Sequence, residues 1–245
     1  MTGLSVRMFN GIRHDDLTLA PLIAIVGSDG AGKTTLAASV CSALQGEGAA
    51  YAYLGLGSGA LGLKIQAWPL LGPMLARRLG AKAKQARTEG ERIPGVFTAA
   101  VIYGFSRRRV RRFKQMLALR KQAGVVICDR YPQLEIPGFY DGPGLSAARP
   151  ANRFTAWLAK RELSLYHQMA SYRPTLVIRL NIDADTAFAR KPEHNLALLR
   201  QKVQATPLLR FNGARIVEVD ASRPLAEVQA LCVQLVRQLM AGGSA

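Results

Sequence analysis

The chain has 245 residues, and its 33 Lys plus Arg against 16 Asp plus Glu give a formal charge of +17. Hydrophobic residues make up 49% of it. That fraction excludes intrinsic disorder, which combines low hydrophobicity with high net charge, and suits one large domain or one domain with insertions. Scattered cysteines (Cys41, Cys128, Cys232) exclude a disulfide scaffold and a thiolate zinc site, and equally scattered histidines (His14, His167, His194) argue against a His-rich one.

Residues 1–20 hold Arg7, Arg13, His14, Asp15 and Asp16 and lack the continuous apolar core of a signal peptide. They read as an N-terminal tail, and residues 21–245 as the domain. With no long apolar run in the sequence, the cysteine usage points to a reducing cytoplasm. Leu22 to Val26 reads as a buried strand. Leu36, Ala37, Val40, Cys41 and Leu44 recur at helical spacing, and Gly46 and Gly48 stop that helix. Ala50 to Leu54 is a second strand, followed by the loose run Gly55 to Gly59. Leu61 to Leu79 is apolar but broken by Pro69 and Pro73, and it reads as part of a basic helical insertion around 60–95.

Phe97, Val101, Phe105, Phe113 and Leu117 predict one long helix with its arginines on the other side, ended by Gly124. Val125 to Cys128 is a strand with Asp129 at its carboxyl end, and the Pro- and Gly-rich stretch from Ile136 to Pro150 is loop. Phe154, Trp157, Leu158, Leu165 and Met169 mark another helix. Thr175 to Leu180 is a strand, Asp183 to Lys202 a short helix, a basic turn and a helix, and Arg215 to Val219 the last strand. The stripe Val228, Leu231, Cys232, Leu235, Val236 and Leu239 closes the chain as a helix. This alternation predicts an α/β fold in three layers, with a parallel sheet of about five strands covered by helices on both faces.

Positive charge concentrates in two groups. One is Arg77, Arg78, Lys82, Lys84, Arg87 and Arg92; the other is Arg107, Arg108, Arg109, Arg111, Arg112 and Lys114. The ordinary reading is a solvated helix face. The alternative is docking on a membrane surface or a polyanion. Nucleic acid is disfavoured, because Phe105 and Phe113 fall at core-facing spacing and not where they could stack on bases.

Gly27-Ser28-Asp29-Gly30-Ala31-Gly32-Lys33-Thr34 satisfies the phosphate-loop pattern, between a strand and a helix as that pattern requires. The glycines let amide N–H groups face an anion, and the helix N-terminus adds partial positive charge. Lys33 can reach the β and γ phosphates, and Thr34 can hold Mg²⁺. Asp129, at a strand's carboxyl end, is placed to hold Mg²⁺ as well, and Arg130 can clamp a second phosphate in bidentate fashion. Arg190-Lys191-Pro192-Glu193-His194-Asn195, with Arg200 and Lys202 beyond, reads either as a basic lid over the transferring group or as a cluster favoured by a helix C-terminus.

With these motifs the sequence resembles the thymidylate kinase family of P-loop nucleotide kinases. The run from Gly27 to Thr35 is similar to that family's loop, including the acidic Asp29. Asp129-Arg130-Tyr131 resembles its second signature, and the segment from Val217 to Ser222 its adenine-side loop. The resemblance implies ATP and Mg²⁺ as cofactors, with ATP held by Gly27 to Thr35 and by Ala221 and Ser222, and the metal by Thr34 and Asp129. It implies an acceptor held by Asp29, Arg130 and Tyr131. Gly30 stands where some members carry a basic loop residue, so the resemblance is to members whose lid supplies the cations, here Arg190, Lys191 or Arg200. It also implies a homodimer. The chain differs after its second strand, where Gly55 to Gly59 replaces an arginine-bearing segment, and after Tyr131, where Pro132 to Pro137 replaces the expected nucleobase helix.

The expected function is ATP-dependent, Mg-assisted phosphoryl transfer by Lys33, Asp129, Arg130 and Arg190 to a small-molecule acceptor, led by a nucleoside monophosphate. The alternatives are a kinase of a sugar or other metabolite hydroxyl, and a regulatory P-loop ATPase that docks on an anionic surface.

Overall fold

β1 (Leu22–Gly27) is buried along its whole length, as a strand must be when it has neighbours on both edges and helices on both faces. It pairs in parallel with β3 (Val125–Asp129) on one edge and with β4 (Leu176–Asn181) on the other. β2 (Ala49–Tyr53) and β5 (Ile216–Asp220) are the edge strands and only half-buried, which completes a parallel sheet of order β2-β3-β1-β4-β5. This is the predicted α/β architecture, seen in a computed structural model that describes residues 19–56, 93 and 95–242. All but the last residues of the insertion expected around 60–95, and all but the end of the 1–20 tail, lie outside them.

One face of the sheet carries α1 (Lys33–Ala43) and the C-terminal α6 (Leu225–Gly242), whose Leu36, Val40, Val228, Cys232 and Val236 pack on Ile23, Ile25 and Ile178. The opposite face carries α2 (Val96–Leu119) and α3 (Arg153–Ala170), through Phe113, Met116, Leu165, Tyr166 and Met169. Between β4 and β5 lie α4 (Ala184–Arg190) and α5 (Leu196–Ala205). Asp183 caps the first of these and Asn195 the second, each accepting backbone N–H groups of the first turn. No helix among the described residues is long and apolar enough to cross a membrane.

Two expectations need correction on α2 and α3. The arginines of α2 are not all on a solvated face. Arg107, Arg108 and Arg111 are exposed, but Arg109 is 0% exposed, and Arg112 is half-buried. Conversely Phe97, Phe154 and Trp157, which fit an apolar stripe, are 68%, 50% and 48% exposed. The reason is length. Both helices run past the sheet at their N-terminal ends, where none of the described strands lies beneath them, so helical periodicity alone does not bury a side chain there.

Candidate functional site

The sheet delivers the site at its carboxyl edge. β1 ends at Gly27, residues 28–32 turn, and α1 begins at Lys33. Gly30 (φ +85°) and Gly32 (φ +81°) both take the left-handed conformation that favours glycine. Gly30 is also constrained from outside, because a Cβ there would come within 2.6 Å of the Ala187 carbonyl oxygen on α4. A basic side chain at position 30 is thus excluded by packing.

Lys33 is buried, and its Nζ donates to the Ser28 carbonyl at 2.6 Å, across the loop. Burial is the main force lowering its pKa to about 8; Arg130 and Lys202 push the same way, and Asp29 and Asp141 oppose them. Asp29 moves differently. Burial favours its neutral form, but Lys202, Lys33 and His194 outweigh this and pull the pKa down to about 2. The Lys202 Nζ reaches Asp29 at 2.5 Å, and the His194 Nδ1 stands 3.9 Å from the same oxygen.

The loop is tied to β3 by Thr34, whose Oγ1 donates to Asp129 Oδ2 at 2.6 Å. The other oxygen of Asp129 accepts from the Tyr51 hydroxyl at 3.0 Å, and Asp129 itself is 0% exposed. A hydroxyl and a carboxylate side by side are the hard oxygen donors that Mg²⁺ takes, with water and phosphate oxygens for its other positions. No group of three or more His, Cys, Asp or Glu that could hold a metal by itself occurs among the described residues. The Thr34 and Asp129 oxygens fit a phosphate-bound Mg²⁺.

Arg130 follows Asp129 with a left-handed backbone (φ +57°), which turns its side chain back beside β2. Burial opposes its charge, but Asp141, Tyr53, Asp129 and Asp29 outweigh burial and raise its pKa. Its Nε is buried without a hydrogen-bond partner among the described residues. Gly55 makes room for it, since a Cβ there would lie 2.6 Å from the Arg130 Cδ and closer still to the Tyr53 ring. Arg112 completes the cluster from α2. Its guanidinium sits 4.8 Å over the Tyr53 ring and donates to the Gly55 carbonyl. Where the sequence has no arginine after its second strand, α2 thus brings one.

Arg109 acts deeper, as a brace. It donates to the carbonyls of Leu54 (2.8 Å) and Asp141 (2.6 Å) and to the Tyr166 hydroxyl (2.9 Å), and it forms an ion pair with the Asp141 carboxylate. Gln133 knits the same loop from within, donating to Ile136 and Phe139 carbonyls at 2.8 Å. This fixes the segment after Tyr131 as a wall beside Arg130. Tyr131, expected in the acceptor pocket, packs in the core. It is 2% exposed, donates to the Tyr172 carbonyl at 2.6 Å, and meets Phe113 edge-on.

The basic residues of 190–202 divide. Arg190 donates to the Ala221 carbonyl at 2.9 Å and to that of Gly30 at 3.5 Å, so it bridges the phosphate loop and the loop after β5. Ser222 there is held by Asp220, which accepts from its N–H and its hydroxyl. Lys191 ends α4 as its C-cap. Arg200 pairs with Asp185 at 3.4 Å on the surface, and Lys202 reaches the phosphate loop instead. Beside Ser28 a cavity of about 500 Å³ opens at the carboxyl ends of β4 and β5, lined among others by Asn181, Asp183, Thr206 and Ser222.

Along 209 residues the chain is 46% identical to the "Uncharacterized ATP-binding protein YghS" of Escherichia coli (strain K12), covering 84% of this chain and 88% of that protein. It is 43% identical to the "Uncharacterized ATP-binding protein YghR" of the same strain, covering 84% and 83%. The chain belongs to the YghS and YghR family. No general family model matches it. The likeness to YghS and YghR spans most of each chain, so it takes in far more than the phosphate loop.

Sequence reasoning missed Tyr51, Arg109, Arg112 and Asp141 as parts of this arrangement. Lys202 was named with the basic lid, and the structure sets it against Asp29 of the loop. Arg109 and Arg112 could have been suspected only from an unusual run of five arginines between 107 and 112. Tyr51 and Asp141 carry no local signal.

Proposed function

We propose that the protein is an ATP-dependent, Mg-assisted phosphotransferase whose acceptor is a small molecule that already carries phosphate. A nucleoside monophosphate, as in thymidylate kinases, is the leading candidate. The observation that carries this reading is Arg130, a partly buried cation with an unpartnered Nε, grouped with Arg112 across from the phosphate loop. A hydrolytic switch needs one anion site. Two facing cation clusters fit a donor and an acceptor that are both anionic. The names of YghS and YghR add ATP as the nucleotide.

In this reading the loop amides and Lys33 hold the β and γ phosphates of ATP. Bound Mg²⁺, held by Thr34 and Asp129, would neutralise charge on those phosphates. Arg130 and Arg112 fix the acceptor phosphate so that its anionic oxygen lines up with the γ phosphorus, and catalysis is positioning plus electrostatics. Lys202 keeps Asp29 ionised beside the transferring group, and Arg190 ties the loop to Ala221. A carboxylate held near pKa 2 is a poor proton acceptor at neutral pH. Asp29 therefore suits an acceptor that needs no base better than a sugar hydroxyl.

The test is transfer of label from γ-labelled ATP in parallel reactions with deoxynucleoside and ribonucleoside monophosphates, and with unphosphorylated sugars. Labelled product only with phosphate-bearing acceptors supports the reading. Product with a sugar alone, or phosphate release that ignores every acceptor, overturns it.

A further inference from the structure

α2 and α3 lie side by side and run the same way, as Ser106 donating to Glu162 and Arg109 donating to Tyr166 record. Each leads back into a strand, so each has its N-terminal end on the carboxyl side of the sheet, the side of the phosphate loop. Arg109 and Arg112 hold the carbonyls of Leu54 and Gly55, just past β2, and so mark the level where the strands stop. At 1.5 Å per residue Phe97 lies about 18 Å further out along α2. The two helix ends form an arm that projects beyond the carboxyl edge of the sheet, with a small core of its own made by Ile93, Ala99, Ile102, Leu145, Ala148 and Leu158.

The tip of this arm is apolar and cationic. Phe97 (68%) and Val96 (42%) at the start of α2, and Phe154 (50%) and Trp157 (48%) at the start of α3, are exposed. Phe154 stacks on Trp157 with centroids 5.7 Å apart, and the Arg161 guanidinium lies 5.3 Å from the Trp157 ring centroid. Around them Arg149, Arg153, Lys160 and Arg161 are exposed. Neither α2 nor residues 142–161 contain an Asp or Glu. The next acid, Glu162, is buried and accepts from Ser106 and the Leu145 amide.

We propose that this tip docks on an anionic lipid surface. Trp and Phe settle at headgroup depth, and Arg and Lys beside them meet lipid phosphates, so an aromatic tip whose exposed charged neighbours on α3 and in residues 142–152 before it, among the described residues, are cations matches such a surface in both respects. A single-stranded RNA fits less well. It needs rings splayed to receive bases, whereas Phe154 and Trp157 stack on each other and Arg161 covers Trp157. Docking needs no nucleotide and stands apart from the phosphotransferase reading. Its consequence is orientation: the edge of the sheet with the phosphate loop faces the bilayer.

The experiment is co-sedimentation of the full chain, without nucleotide, with vesicles of phosphatidylcholine alone or mixed with phosphatidylglycerol. Trp157 emission is read in a Trp68→Phe background, since Trp68 and Trp157 are the only tryptophans. Partitioning onto the mixed vesicles should exceed that onto phosphatidylcholine by roughly tenfold or more, weaken in high salt, and shift Trp157 emission to the blue. F154S/W157S and R153E/R161E should each lose about tenfold in partitioning. Equal partitioning onto both vesicles, no change of Trp157 emission, full binding by both variants, or preference for a mixed-sequence RNA over the anionic vesicles overturns the proposal.

Discussion

The two cation clusters of the site are built in opposite ways. The phosphate loop comes from one stretch, Gly27 to Thr34, and owes its shape to local backbone: glycines at positive φ and a helix start. The cluster around Arg130 is assembled from afar. Gly55 follows β2, Arg109 and Arg112 come from α2, Asp141 from the loop after β3, and Tyr166 from α3. A contiguous site depends on few neighbours, and damage to it is chemical. A distributed site depends on packing, and damage to its braces unfolds the wall as well as the function.

That contrast is sharpest at Lys33. Lys33→Ala should cut phosphoryl transfer by about 10³-fold or more while leaving the thermal midpoint close to wild type, measured by single-turnover transfer and by calorimetry. Loss of fold along with activity would erase the distinction. Arg109→Met should do the reverse. It leaves the Asp141 carboxylate without its buried partner, and a denaturant titration should report about 3–5 kcal/mol of lost stability. R109M/D141N should recover part of this, because the stranded charge is gone. Stability of the single variant within error of wild type would show that the brace carries no energy.

Arg130→Ala should fall between these. Its expected effect is roughly 10²-fold on kcat/KM for the acceptor, with ATP affinity held, as for loss of one aimed cation. A change confined to ATP affinity would move Arg130 to the other cluster.

The smallest effect is one of pH. Lys33 has its pKa lowered from 10.5 to about 8. The protonated form is needed to hold phosphate, so kcat/KM for ATP should fall about tenfold per pH unit above 8. Stability should move the other way, rising between pH 8 and 10.5 as the folded state sheds a buried charge that the unfolded state still keeps. Asp29 works at the other end: with its pKa lowered to about 2, its ion pairs contribute above the ordinary value of 3.8 and are lost as pH falls towards 2. A flat ATP profile up to pH 10 would contradict the Lys33 assignment.

The same contrast explains what could be read from the sequence. The sheet was legible because β1, β3 and β4 are short apolar runs flanked by turn residues, and a strand buried on both faces has no other way to look. The shape of the loop from Gly27 to Thr34 was legible because it lies in consecutive residues, between a strand and a helix start. The partners of Arg130 were not, since no local pattern tells that the Arg109 side chain points inward while Arg108 and Arg111 point out. Tyr131 fitted a motif and went into the core, because a motif fixes the backbone of a strand end more firmly than the company its next side chain keeps. The exposed Phe97 and Trp157 belong to the same lesson: their spacing is that of a buried face, but none of the described strands lies below to cover it.

The central claim is that two anion sites face each other across the carboxyl edge of the sheet. It is tested most directly by binding of a bisubstrate ligand, two nucleosides joined by five phosphates, measured by calorimetry beside ATP alone. Joining the two halves makes the second contact intramolecular, so the account predicts binding roughly 10²-fold tighter than ATP, with most of that gain lost in Arg130→Ala. Binding no tighter than ATP, or a gain untouched by that substitution, would contradict it.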